Sequence, residues 1–212
     1  MEYIDIIDCD GNHLGKKEKD EAHLDGDWHI GFHCWIIRPN GKILLQLRCK
    51  DKDTYPNKLD ISAAGHLSAG EKPEDGVREI EEELGIKIKP EQLIFLGTYK
   101  SAKTINTHKG IFNNREHCYV YFLEDNTPLT DYKLQPEEVA GVYEIDIENA
   151  LPFFNEETNS IEITGVTLNN GENIKDTKIV TKENFVPCNK QAWLRIFIQA
   201  QRYINGEKYL AI

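Results

Sequence analysis

Between Gly65 and Ile86 the chain reads GHLSAGEKPEDGVREIEEELGI, and five ionisable side chains fall within the six positions from Arg78 to Glu83. Few conformations suit so acidic a run. Ile80 and Leu84 are spaced to form one buried stripe of a helix, Pro73 stands near its head, and Gly85 supplies its stop. On such a helix Glu79, Glu82 and Glu83 stand at i, i+3 and i+4 and project from one side within reach of each other. Carboxylates that close repel unless a cation sits among them. Mg²⁺, or Mn²⁺, takes carboxylate oxygens and shares its remaining coordination with substrate phosphates. The plain alternative is a solvated acidic helix face. Against it stand the buried stripe and the glycines at 65 and 70, which let backbone approach a phosphate.

This segment resembles the Nudix box, in which a glycine and a glutamate precede Arg-Glu-x-x-Glu-Glu-x-Gly. One departure lies in the spacing: six residues, Lys72 to Val77, separate Glu71 from Arg78, where the family has seven. Pro73 and Asp75-Gly76 lie in that gap, so the deletion is expected to be absorbed in the loop or first helical turn, leaving the triad in register. The resemblance implies an α+β fold, an α/β/α sandwich on a mixed sheet, with the box helix on one face. It implies hydrolysis of a diphosphate linkage in a nucleoside diphosphate derivative or a related small organic diphosphate. Glu79, Glu82 and Glu83 would hold the metal and Arg78 would orient a box glutamate. Gly65 would border the substrate. The general base would come from Glu79 or from a later glutamate, Glu138 or Glu116.

A formal charge of −11 over 212 residues disfavours nucleic acid as a partner, because phosphate backbones need a basic surface. An anionic substrate must then be held locally, and Arg48, on the strand before the box, is a candidate for a bidentate phosphate contact or else a surface salt bridge. Five cysteines without a CxxC pair suggest neither a disulfide frame nor a zinc knuckle. With no signal-like start and no membrane-length apolar run, the expected setting is cytoplasmic.

Along the chain, Tyr3–Ile7 and a following polar strand across Asp10-Gly11-Asn12 read as an opening hairpin, and residues 29–37 and 42–48 as a second one across Asn40-Gly41. Residues 93–100 and 117–123 read as strands, with 101–114 a long polar loop between them. Gly141–Asp146 is a further strand and Ile147–Phe154 a short helix. Two strands around Asn169-Asn170-Gly171 form an accessory hairpin, and a helix is expected over Asn189–Tyr203. The expected organisation is a Nudix domain over 1–150 and an extension, hairpin plus helix, over 151–212. The exposed side of the terminal helix is a place where two chains could meet as a homodimer.

The front of the chain, residues 3–66, is similar to isopentenyl-diphosphate isomerase, a relative with the same fold. Shared pieces are YIDIIDCDGNHLG, Ala22-His23, Trp28-His29 and Gly65-His66. The resemblance implies metal binding by His23, His29, His66 and Glu116 of NREHCYVYF. Histidines near strand ends are frequently just hydrogen-bonded, and that reading is weighed more heavily here. The isomerase carries a cysteine acid two residues before the last histidine, where this chain has Ala64. Hydrolysis is therefore favoured over isomerisation, and a non-catalytic nucleotide sensor is disfavoured by the complete acidic triad.

Overall fold

A computed structural model describes residues 1–108, 110–188 and 191–212. The first half contains β1 (Tyr3–Ile7), β2 (His13–Glu18), α1 (Lys19–Asp25), β3 (Trp28–Arg38), β4 (Lys42–Arg48), β5 (Leu59–Asp60), β6 (Ala63–His66) and α2 (Val77–Leu84). The second contains β7 (Ile94–Thr107), β8 (Gly110–Glu124), β9 (Val139–Asp146), α3 (Ile147–Phe154), β10 (Ile161–Asn169), β11 (Glu172–Val180) and α4 (Ala192–Ile204).

β3 is the hub of a mixed sheet. Its residues Trp28–Ile37 run parallel to β8, while its other edge is shared by β1, then β6, then β4, all antiparallel. The sheet continues from β4 through β9 and β10 to β11, so residues of the 151–212 segment extend it without a break. Strand alternation sorts the core into two layers. Phe32, Cys34 and Ile36 of β3 pack with Ile80 and Leu84 of α2 on one face. Trp35 and Ile37 pack with Phe153, Phe154, Trp193 and Phe197 of α3 and α4 on the other. The expected sandwich and mixed sheet are what the chain forms.

The box helix begins as a 3-10 turn, Pro73–Gly76, and continues as α2 to a left-handed Gly85. The shortened spacing is taken up in that turn. The opening hairpin, the strand pair around Asn40-Gly41, α3 and the hairpin of β10 and β11 all match expectation. The terminal helix starts at Ala192, and the expected first positions, Asn189 and Lys190, lie outside the described residues.

One expectation needs correction, and one helix was not expected. Residues 101–114 are not a polar loop: β7 and β8 form one long antiparallel hairpin, paired from Ile94↔Phe122 to Thr107↔Gly110, with Lys109 outside the described residues. Its outer half is mostly polar, and Thr104 Oγ1 donates to Asn113 Oδ1 across the strands at 2.9 Å. Its few apolar residues, among them Ile105, Ile111 and Phe112, do not recur at every second position, so no alternation betrays the strands. Residues 19–25, around the Ala22-His23 pair, form the short helix α1, capped by the Glu18 carboxylate and stopped by left-handed Gly26. Its seven residues give too little periodicity to read.

Among the described residues no helix is long and apolar enough to cross a membrane. All five cysteines are free thiols. Because Ile80 is fully buried where α2 meets β3, Ile80→Ala should lower unfolding free energy by about 2–5 kcal/mol in urea denaturation.

Candidate functional site

The end of β6, the middle of β3, α1, α2 and the long hairpin surround a cleft of about 1300 Å³. Its floor is built from the box. Arg78 is the centre of a carboxylate network: Nε donates to Glu71 at 3.2 Å, Nη1 to Glu82 at 2.8 Å, and Nη2 to Glu79 at 3.0 Å. The Glu71–Arg78 bridge thus forms despite the missing residue. Glu71 also accepts from Ser68 N at 2.7 Å, fixing the loop that follows β6.

Glu79 lies flat against Gly65. A Cβ at position 65 would stand 2.2 Å from the Glu79 carboxyl carbon, so a side chain there would displace that carboxylate. Glu83 is buried at 6 % exposure and accepts from Gln46 Nε2 at 3.1 Å and from Ala64 N at 3.2 Å. Glu82 is more open, with its carboxylate turned toward Arg78. Burial, with Glu82 adding to it against Arg78, raises the Glu79 pKa; burial, then the neighbouring Glu79, pushes Glu83 up to about 8. Glu79 and Glu83, buried this way, resist ionisation, and a divalent cation among the box carboxylates would favour their charged forms.

A second donor set lies beside the first. The register of β3 sets His29 next to Glu116 on β8 and Gly31 next to His66 on β6, and α1 brings His23 over them. The three imidazole centroids lie 4.8–4.9 Å apart. Gly31 leaves room for the Glu116 carboxylate, because a Cβ there would meet Oε1 at 2.9 Å. His23 Nδ1 faces Lys19 O at 2.8 Å and His29 Nδ1 faces Asp27 O at 3.0 Å. A carbonyl only accepts, so both Nδ1 atoms carry the proton and both Nε2 atoms present lone pairs.

His66 Nε2 lies 3.3 Å from His23 Nε2 and 3.4 Å from Glu116 Oε1. Whichever tautomer His66 takes, His29 Nε2 remains buried without a partner, as does Asn114 Oδ1. Such orphaned acceptors are costly in a native interior. Burial depresses His29 to about 4, with His23 adding to the effect, and drives His66 well below its usual value, so the imidazoles are neutral. Burial pushes Glu116 up to about 7, opposed by Lys103 and by the 2.7 Å hydrogen bond from Asn114. Neutral imidazoles with backbone-fixed tautomers and a carboxylate are a donor set that fits a transition-metal ion. Asn114 carried no sequence signal. It becomes visible only through the cross-strand geometry of the hairpin.

The other expected residues fall on the same cleft. Glu138 stands on its wall, ion-paired to Lys52, and its Oε1 accepts no hydrogen bond among the described residues. Arg48 lines the cleft too, but its guanidinium is engaged with Asp60 at 3.0 Å and with Thr54 O and Oγ1. It is a structural clamp on the loop after β4 and leaves no fork for a phosphate.

The NUDIX domain family model matches residues 27–177. An uncharacterised Nudix hydrolase of Clostridium acetobutylicum is 37 % identical over 203 residues, covering 94 % of this chain and 96 % of the relative. An isopentenyl-diphosphate Delta-isomerase of Photorhabdus laumondii is 31 % identical over 152 residues, covering 70 % of this chain and 82 % of its own. The crystal structure of DR0079 from Deinococcus radiodurans superposes with a TM-score of 0.54 at 19 % identity, covering 82 % of this chain and 93 % of that one.

The buried acids make stability depend on pH in a defined direction. The Glu83 contribution is whole below its unfolded pKa of 4.5 and is lost as pH rises through the folded value of about 8. In EDTA, the melting temperature should fall between pH 6.5 and 8, a window above the usual histidine pKa, and Glu83→Gln should flatten that slope. An unchanged slope in the variant would contradict the burial of an uncompensated carboxyl.

Proposed function

This chain belongs to the NUDIX family, and from that premise we propose that it hydrolyses a diphosphate linkage in a nucleoside diphosphate derivative or related small organic diphosphate, dependent on Mg²⁺ or Mn²⁺. The observation that carries this reading is the gathering of three carboxylates on the cleft floor: Glu79 and Glu82 on Arg78, and Glu83 buried beside Glu79. Glu79, Glu82 and Glu83 would hold the metal, and Glu116 with His23, His29 and His66 would hold a second ion. A bound divalent ion supplies charge neutralisation for the diphosphate and acidifies water.

The remaining work falls to the chain's own residues. Arg78 ties Glu71 and Glu79 together and so fixes both the loop and the nearest carboxylate. Gln46 and the Ala64 amide orient Glu83. Gly65 keeps the floor open to the substrate by lacking a side chain. Glu138 is assigned as the general base, because Lys52 holds one of its oxygens and leaves the other directed to acceptor duty. Glu79 is locked by Arg78, and Glu116 is taken up by Asn114 and His66.

Isomerisation of an isopentenyl-type diphosphate is the second reading, favoured by the assembled histidines and Glu116. It needs an acid where Ala64 presents a methyl group, directly across the β3–β6 ladder from His33.

A substrate screen tests both. Nucleoside triphosphates, ADP-ribose, nucleotide sugars, dinucleoside polyphosphates and isopentenyl diphosphate would be offered with Mg²⁺ or Mn²⁺. Hydrolysis lost in Glu82→Gln supports the proposal, and Glu138→Gln should lower kcat by about 10²–10⁴-fold with metal affinity retained. A shifted double bond without phosphate release would replace it with the isomerase.

A further inference from the structure

In a chain of net charge −11, a phosphate-bearing ligand needs a cation that is not already neutralised. The cleft walls hold several cations whose charge is taken. Lys19 pairs with Glu2, Arg48 with Asp60, Lys52 with Glu138, and Arg78 with three glutamates. Lys100 lies 3.9 Å from Asp10. Lys103 and Arg195 meet no carboxylate among the described residues, and of the two Lys103 is half-buried while Arg195 is exposed.

Lys103 sits on the cleft side of the long hairpin. It pairs across the ladder with Asn114, two positions along from the Ser101↔Glu116 pair. One of its three ammonium donors is given to Pro187 O at 2.9 Å, a neutral carbonyl that leaves the charge uncancelled. The ammonium lies 5.7 Å from the centre of the Tyr55 ring, whose face favours a cation. Tyr55 itself has φ of 50°, an uncommon conformation for a bulky residue, which turns its loop so that the ring lines the same cleft. The charge of Lys103 is also felt at Glu116 and His33, which line the same cleft.

We propose that Lys103 is the cleft's phosphate-recognising cation, receiving an oxyanion of the substrate's diphosphate while Tyr55 and Pro187 hold it in place, so that the β7–β8 hairpin is a substrate-binding wall. This rests on the reading of the cleft as a diphosphate site. The cation is supplied by an element outside the box, and it does the task for which Arg48 is unavailable. The box carboxylates of α2 would hold the diphosphate through a divalent ion from one side, and the Lys103 ammonium on β7 would meet it from the other.

The competing account makes Lys103 a clasp that joins the hairpin to the segment before α4 through Pro187. Glutamine separates the two, since Lys103→Gln keeps a donor for the carbonyl and removes the charge. Binding of inorganic pyrophosphate to the full chain would be followed by calorimetry in Mg²⁺ at several salt concentrations, alongside Mg²⁺ affinity and melting temperature. Lys103→Gln should bind pyrophosphate roughly ten- to a hundredfold more weakly with a shallower salt dependence, while Mg²⁺ affinity and melting temperature hold. Lys103→Arg should restore binding to within severalfold. Wild-type pyrophosphate affinity in Lys103→Gln overturns the assignment of Lys103 alone. Equal losses in both variants together with a lowered melting temperature establish the clasp and also overturn it. No pyrophosphate binding by the wild type overturns the diphosphate reading of the whole cleft and this inference with it.

Discussion

The contact of the Glu79 carboxylate with the bare backbone of Gly65 holds the rest of the arrangement in place. It seats α2 against the end of β6, and β6 is laddered to β3, and β3 to β8. One close approach therefore links the box carboxylates to the histidines and to Glu116. The approach is also electrostatically demanding. Glu79 and Glu83 are taken out of water beside each other, and a single guanidinium, Arg78, answers for Glu71, Glu79 and Glu82 at once. Negative charge is left over on the cleft floor, and a divalent cation would balance it.

Much of this was legible in the chain because it is local. The helical spacing of Ile80 and Leu84, the i, i+3, i+4 glutamates and the Gly85 stop all lie within one short segment and need no tertiary knowledge. The Glu71–Arg78 bridge could be expected from the resemblance, and the short 3-10 turn at Pro73–Gly76 absorbs the altered spacing. What could not be read is non-local. His23 and His66 are 43 positions apart, on a helix too short to show a period and on a strand of four residues, so only the resemblance and no pattern in the chain grouped them, and they meet through the register of β3. The partners that turn Arg48 into a clamp, Thr54 and Asp60, come from a loop whose path no pattern specifies. The long hairpin was invisible for the opposite reason: its outer half is mostly polar, and Ile105, Ile111 and Phe112 fall out of period-two spacing, so no alternation marks it.

The cleft combines features of two kinds of relative. It carries the acidic box helix and, next to it, three imidazoles with the Glu116 carboxylate beside His66. The two sets share a boundary: His66 follows Gly65 directly, and its carbonyl accepts from Arg78 at 3.4 Å. An ion on one side would therefore be felt on the other through the same short stretch of backbone. The chemistry separates at position 64, where a methyl group stands instead of an acid, and water attack needs no acid there whereas alkene protonation does. Specificity then falls to the walls, and the hairpin reaches far enough over them for His108 near its tip to approach Asp53 at 3.7 Å.

The most direct test of this account is anomalous diffraction from crystals of the protein soaked in Mn²⁺. The account predicts a peak about 2.1 Å from carboxylate oxygens of Glu79 and Glu83, with Glu82 turned inward to complete the set. Carboxylates that stay as they are with no peak between them, in crystals whose histidine cluster is loaded, would contradict it.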